Sequence, residues 1–210
     1  MKRGLVALAA VLLAAWSQAA PPHELTSADG RWQLRADGAA LTVFDAQGNP
    51  LRSHPAPAVS ALLDAAARRS FVIVFDSLPQ LWELSYDPNA EPLYRGMVHD
   101  YRMGEGIAEP GFLNLRRTHL QAPLREPGFD ARHALVLARA PDQADGQATL
   151  VLVQLDVRQP IATAVVHGDP DTAATRRVLH DGHERLEVPD RQGGPALLLD
   201  PRTLQRMPSR

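Results

Sequence analysis

Between Tyr94 and Leu124 the chain gathers His99, Tyr101, Arg102, Arg116, Arg117 and His119 in a stretch with no sustained period of two or 3.6. Arginine forks take carboxylates in bidentate fashion, and imidazole ligates iron. The set therefore suits an anionic tetrapyrrole, with Arg102, Arg116 and Arg117 for its carboxylates, His99 at an axial or distal position and Tyr101 beside it. The same residues also suit a solvated or structural loop. A segment this long between regular elements of a compact domain points to a ligand- or partner-covering role.

Other constellations carry less. His99-Asp100 has no serine to complete a triad, and no Gly-x-Ser-x-Gly elbow occurs. His180-x-x-His183 has metal-ligand spacing, but its Arg, Asp and Gly neighbours read as a turn between repeats. Asp142, Asp145 and Gly146 lack the closing glutamate of a calcium loop. Gly104-x-Gly106 lacks the third glycine of a dinucleotide fingerprint and follows no strong strand.

Composition narrows the chemistry. The single lysine is Lys2, so lysine Schiff bases and P-loops are excluded from the mature chain. The absence of cysteine excludes thiol nucleophiles, disulfides, Cys-ligated zinc or iron–sulfur clusters, c-type haem attachment and a lipoprotein anchor. A formal net charge of −2, more negative once Lys2 and Arg3 are removed, argues against nucleic acid as a partner. Met1-Lys2-Arg3 followed by the apolar run Gly4 to Trp16 and by Ser17-Gln18-Ala19 reads as an export signal over 1–19, cleaved after Ala19. The run is shorter than the ~20 residues of a bilayer span, so no stable membrane span is expected after cleavage, and the mature chain is expected in the periplasm or outside the cell.

These residues need a scaffold. With 18 prolines, 14 glycines and 5% aromatics, the chain should fold as many short elements joined by turns. Four apolar segments end in aspartate, at Asp45, Asp87, Asp156 and Asp200, spaced 42, 69 and 44 residues apart. A period of about 43 leaves about 26 extra residues in the middle gap. Each segment has an upstream partner across a polar turn, at Arg31 to Arg35, Phe71 to Phe75, His133 to Arg139 and Arg185 to Val188. Strand, tight turn, strand at this period describes a β-propeller blade. The fold class expected is all-β and β-propeller-like, one domain over 20–210 with about four antiparallel blade-type repeats. They fall near 26–56, 57–94, 125–168 and 175–210, with an insertion near 95–124. A non-repetitive β-sandwich is the alternative.

The stretch Ser70-Phe71-Val72-Ile73-Val74, Pro79-Gln80-Leu81-Trp82-Glu83-Leu84-Ser85-Tyr86-Asp87-Pro88, then Val98-His99-Asp100-Tyr101-Arg102 and Gly104-Glu105-Gly106-Ile107-Ala108, resembles the haem d1 propeller domain of cytochrome cd1-type nitrite reductases and of their relatives in haem d1 maturation. Gln154-Leu155-Asp156-Val157-Arg158 resembles that family's blade motif. The resemblance implies haem d1 or a related tetrapyrrole as ligand. It also brings departures. Where the family commonly carries Gly-Met-Pro-His and Thr-Pro-His, with histidines over the haem face, this chain has Gly168-Asp169-Pro170-Asp171 and Val188-Pro189-Asp190. Ionised carboxylates neither donate a hydrogen bond to bound nitrite nor act as the same neutral ligand. With no cysteine for haem attachment, the cytochrome c domain that delivers electrons in the reductases is not expected in this chain.

The resemblance therefore implies a non-catalytic tetrapyrrole-binding or assembly factor linked to respiratory nitrite reduction, not an intact reductase. One alternative is a residual enzyme acting on a haem d1 precursor through His99, Asp100 or Tyr101. Another is an interaction module. The family's propeller has about eight blades, so four would form a small ring or half of a ring completed by a second copy or another propeller chain.

Overall fold

The computed structural model describes residues 23–94, 108–141 and 146–206. The proposed signal, 1–19, lies outside them. Alternation of apolar and polar residues, broken by Asp and Gly turns, produces four antiparallel sheets in succession. The first blade comprises β1 (His23–Thr26), β2 (Trp32–Ala36), β3 (Ala40–Asp45) and β4 (Pro50–Pro55), paired in that order. In the second, β5 (Val59–Ala65), β6 (Ser70–Phe75) and β7 (Gln80–Ser85) pair in sequence. The chain then forms the short hairpin β8 (Leu93–Tyr94) and β9 (Ala108–Glu109) before β10 (Leu115–His119) returns as the fourth strand beside β7. The third blade is β11 (Arg125–Asp130), β12 (Leu135–Arg139), β13 (Gln147–Gln154) and β14 (Gln159–His167). The fourth has three strands, β15 (Arg176–His180), β16 (His183–Val188) and β17 (Leu197–Leu199), with a bridge from Leu199 to Arg206 in the fourth place. The architecture is thus all-β and propeller-like, with four blade-type repeats.

The recurrent aspartate has a local cause. Asp45 Oδ1 accepts hydrogen bonds from the Gln47 and Asn49 amides at 2.9 and 2.8 Å, Asp87 Oδ1 accepts one from Asn89 at 3.1 Å, and Asp200 Oδ1 accepts those of Arg202 and Thr203, both at 2.9 Å. Each carboxylate closes the turn after its strand, as Asx side chains do. Asp156 differs: its carboxylate instead binds Arg68, which lies in the 3₁₀ turn η1 (Ala66–Arg68) of the second blade. The aspartate strands pair with the upstream partners read from the sequence, for example Leu34 opposite Val43, Ile73 opposite Trp82 and Leu137 opposite Leu152.

Blades stack face to face through three cores. Blades 1 and 2 enclose Leu34, Leu41, Val43, Phe71, Ile73 and Phe75, with Phe75 edge-on to Trp82 at 4.7 Å. Blades 2 and 3 enclose Val72, Val74, Leu81, Val136 and Val153, and blades 3 and 4 enclose leucines and small aliphatics. β6 is buried at every position because both of its faces are covered, whereas β2 and β3 show buried residues alternating with more exposed ones. Among the described residues, four blades with three interfaces make an open arc. β1 lies against β5 and β5 against β11, so the first strands of blades 1 to 3 line the inner side of the arc, and η2 takes the next place beside β11. β4, β10 and β14 form its outer rim.

Candidate functional site

The arginines singled out in the sequence lie on this rim. Because neighbouring strand residues face opposite sides of a sheet, Arg116 and Arg117 on β10 diverge. Arg116 stands opposite Glu83 and Arg117 opposite Trp82. The Arg117 guanidinium stacks over the Trp82 ring at 4.6 Å, and Trp82 Nε1 donates to Gln80 Oε1 at 2.7 Å. The two arginines therefore do not form a single fork. Both nevertheless border one open cavity of about 460 Å³, together with Glu91, Tyr94 and Arg158. Three guanidiniums against one carboxylate make its lining net positive, suited to an anionic ligand. His99, Tyr101 and Arg102 lie outside the described residues.

Arg158 was not singled out as a site residue. It sits at φ +54° in the turn between β13 and β14, where the third blade's aspartate turn borders the second blade's rim strand. Its sequence signal was confined to the blade motif, and only the stacking of blades brings it to Arg116.

β10 also borders a second, larger groove of about 860 Å³, where His119 and Leu120 meet Leu124, Val151 and Ile161 of the neighbouring segments. Thr149 lines it as well, and its buried hydroxyl has no hydrogen-bond partner among the described residues. An apolar wall with an imidazole at one end has the composition of a ligand cleft.

The segments that the resemblance sets over a haem face, 168–171 and 188–190, are tied up within the protein. Asp169 is ion-paired with Arg139. Asp171 Oδ1 accepts from the Ala174 amide at 3.2 Å, capping the 3₁₀ turn η2 (Thr172–Ala174), and from Arg191 at 3.3 Å. Asp190 accepts from the Asp169 and Gln192 amides at 3.3 and 2.7 Å, and the Asp171 amide donates to the Pro189 carbonyl at 2.7 Å. Arg191 bonds Glu126 at 2.6 Å, and this contact, joined by Asp171, raises its pKa above the ordinary arginine value. The two departing segments thus meet in space, and their carboxylates are held in a lock between blades 3 and 4. His180 and His183 face each other across the hairpin of β15 and β16, whose Asp181 and Gly182 have φ of 50° and 74°. That turn is within a blade, not between repeats, because an Asp-Gly pair with two positive φ values matches strand twist in a two-residue hairpin.

No protein-family model and no curated protein matches the chain. Among solved structures, the chain is similar to dihydro-haem d1 dehydrogenase NirN, solved in complex with DHE. The TM-score is 0.64 and the identity 22%, over 87% of this chain and 36% of that one. It is also similar to the CNH domain of AfRom2, with a TM-score of 0.53 and 11% identity over 88% of this chain and 53% of that one. The chain thus spans little more than a third of the NirN chain, and at these identities the likeness is one of fold. Among the described residues no helix is long and apolar enough to cross a membrane.

Proposed function

We propose that this protein is a periplasmic, non-catalytic factor that binds haem d1 or a related tetrapyrrole and serves the assembly of respiratory nitrite reduction. The observation that carries the reading is the pairing of chemistries along β10. An arginine-lined cavity at Arg116, Arg117 and Arg158 fits the ligand's carboxylates, and an apolar groove with His119 fits its ring. The fold likeness to NirN supports a tetrapyrrole context. The export signal read over 1–19 supports the compartment. Ionised carboxylates at 169, 171 and 190, already paired within the protein, favour binding over reductase chemistry.

Spectral titration tests this reading. Haem d1 or haem b at micromolar concentration should shift its Soret band on addition of the protein. The double variant Arg116→Ala/Arg158→Ala should weaken binding about tenfold or more, since a hydrogen bond to a charged group contributes about 1.5–3 kcal/mol. An unchanged Soret band with wild-type protein refutes it.

A second reading, an interaction module that completes a propeller with a second copy or another chain, is favoured by the open arc, in which, among the described residues, blades 1 and 4 each pack against a neighbouring blade on one side. Elution of purified protein at the monomer mass, alone and mixed with its partner, would refute that one.

A further inference from the structure

The four blades do not guard their outer edges alike. An edge strand offers a row of unpaired N–H and C=O groups, and charged side chains or prolines are the usual means of keeping another strand from adding to it. β4 carries Pro50, Arg52 and Pro55, β10 carries Arg116 and Arg117, and the edge of the fourth blade is bridged by Arg206 of the same chain. β14 lacks such protection along most of its length. Its nine residues, Gln-Pro-Ile-Ala-Thr-Ala-Val-Val-His, include no Asp, Glu, Lys or Arg in a chain that is 22% charged. Pro160 and a bulge opposite the Leu152/Val153 step close off its start, and from 162 to 167 the ladder with β13 is regular.

We propose that this free edge pairs with the same edge of a second copy of the chain, antiparallel about a two-fold axis at Val165. The phase of the ladder decides which groups are available. The Gly168 N–H donates to the Gly146 carbonyl at 3.1 Å, and hydrogen-bonded pairs alternate along an antiparallel ladder, so Ala162, Ala164 and Val166 bond inward to β13. Thr163, Val165 and His167 therefore turn their N–H and C=O groups outward, at the positions where the strand is exposed. Pairing about Val165 sets Thr163 of each copy opposite His167 of the other and Val165 opposite itself, which satisfies all of these groups with about six hydrogen bonds.

The side chains suit a copy of the same strand. In this register no charge meets a like charge, because the paired segment holds no Asp, Glu, Lys or Arg. Val165 is 57% exposed in the single chain and its cross-strand mate is another valine, so the exposed apolar surface of each copy covers that of the other. Two-fold pairing uses the same patch on both copies and closes, so it builds a dimer rather than a fibre. Edge pairing of so short a segment buries less than the ~1,200 Å² of a standard interface, which places the dimer in the micromolar range. The edge lies apart from the arginine-lined cavity and from the outer faces of blades 1 and 4. The proposal therefore rests neither on tetrapyrrole binding nor on closure of a ring.

Sedimentation of the protein without added ligand, across the micromolar range, should show a monomer passing reversibly into a dimer as concentration rises. Val165→Lys opposes two ammonium groups at the axis and should weaken the dimer about tenfold, with the circular dichroism of the wild type retained. Thr42→Lys, on the outer face of blade 1, should leave the dimer unchanged. The chain has no cysteine, so Val165→Cys supplies a single thiol. Opposed residues of a hydrogen-bonded pair lie about 5.5 Å apart at Cα, within disulfide reach. Mild oxidation should therefore cross-link Val165→Cys far faster than Val157→Cys, which is equally exposed at 58% but lies in the turn before β14. A monomer throughout the range overturns the proposal. So does a dimer that Val165→Lys leaves intact or Thr42→Lys dissociates, or equal cross-linking rates for the two cysteine variants.

Discussion

Arg68 is the side chain whose removal should report most clearly on how the blades are held together. It leaves η1 in the second blade, donates to Glu83 Oε1 at 2.8 Å and reaches Asp156 in the turn after β13 in the third. Glu83 is only 4% exposed and has one further side-chain donor, the Ser70 hydroxyl at 2.8 Å. In Arg68→Met the aliphatic stem persists, so packing is largely kept while the charge is lost. Glu83 then stays buried as an uncompensated carboxylate, which costs about 3 kcal/mol, at the low end for a broken buried pair because Arg68 itself is partly solvated. Asp156 is 60% exposed, and losing that contact adds under ~1 kcal/mol. For a chain of this size, about 3 kcal/mol lowers the melting temperature by roughly 6–12 °C. Scanning calorimetry or thermal circular dichroism reads the shift. The surface pair Arg69–Asp87, with Arg69 61% exposed, is the control, and Arg69→Met should cost under ~1 kcal/mol. Adding Glu83→Leu to Arg68→Met removes the stranded charge and should recover about 2 kcal/mol, short of full recovery because Ser70 loses its acceptor. A melting temperature for Arg68→Met equal to that of Arg69→Met, or a double variant no more stable than the single, would show that the burial of Glu83 does not govern this interface.

Gly128→Ala should destabilise by about 3 kcal/mol or more, because its methyl group would overlap the Thr172 backbone; a urea midpoint equal to wild type would contradict that packing. Burial alone would raise the Asp130 pKa, but hydrogen bonds from Arg177 and His133 outweigh it and hold the carboxyl below its ordinary value. A depressed carboxyl contributes stability that is present above the unfolded value of about pH 4 and lost as pH falls through the folded one. Asp130→Asn should therefore be less stable by about 2 kcal/mol at pH 7, with a shallower loss below pH ~4, and parallel acid-denaturation curves would refute the linkage.

Much of the fold is legible in sequence because the turns announce themselves. An aspartate that closes its own turn leaves a residue-level mark at Asp45, Asp87 and Asp200, and an apolar strand precedes each. The rim strand β10 leaves no such mark. Leu115-Arg116-Arg117-Thr118-His119 buries Leu115 and Thr118, which are three apart, and carries charge between them, so no period of two survives. An edge strand draws its register from backbone pairing with β7 rather than from side-chain burial, and its sequence reads as loop. For the same reason the second blade's return strand hid within the segment read as an insertion. Arg158 is invisible for a different cause: its place beside Arg116 is a contact between blades, which local pattern cannot encode.

The aspartates that stand where the resembled family carries histidine acquire a physical meaning from their partners. An imidazole at 171 would leave Arg191 with Glu126 alone and η2 without the carboxylate that accepts the Ala174 amide. One at 190 would remove the acceptor for the Asp169 amide and the closure of the turn at Gln192. Loss of a charge-assisted cap or pair of this kind costs about 1–2 kcal/mol each. Releasing these carboxylates to face a ligand carries the same cost, and it is borne by blades 3 and 4, whose interface contains no buried aromatic ring among the described residues to compensate. The positions that in the resembled family look onto the haem thus serve here to hold the last blade in place. A tetrapyrrole bound by this protein must find its polar contacts elsewhere, and among the described residues the rim at Arg116, Arg117 and Arg158 offers a cavity with a surplus of cationic side chains.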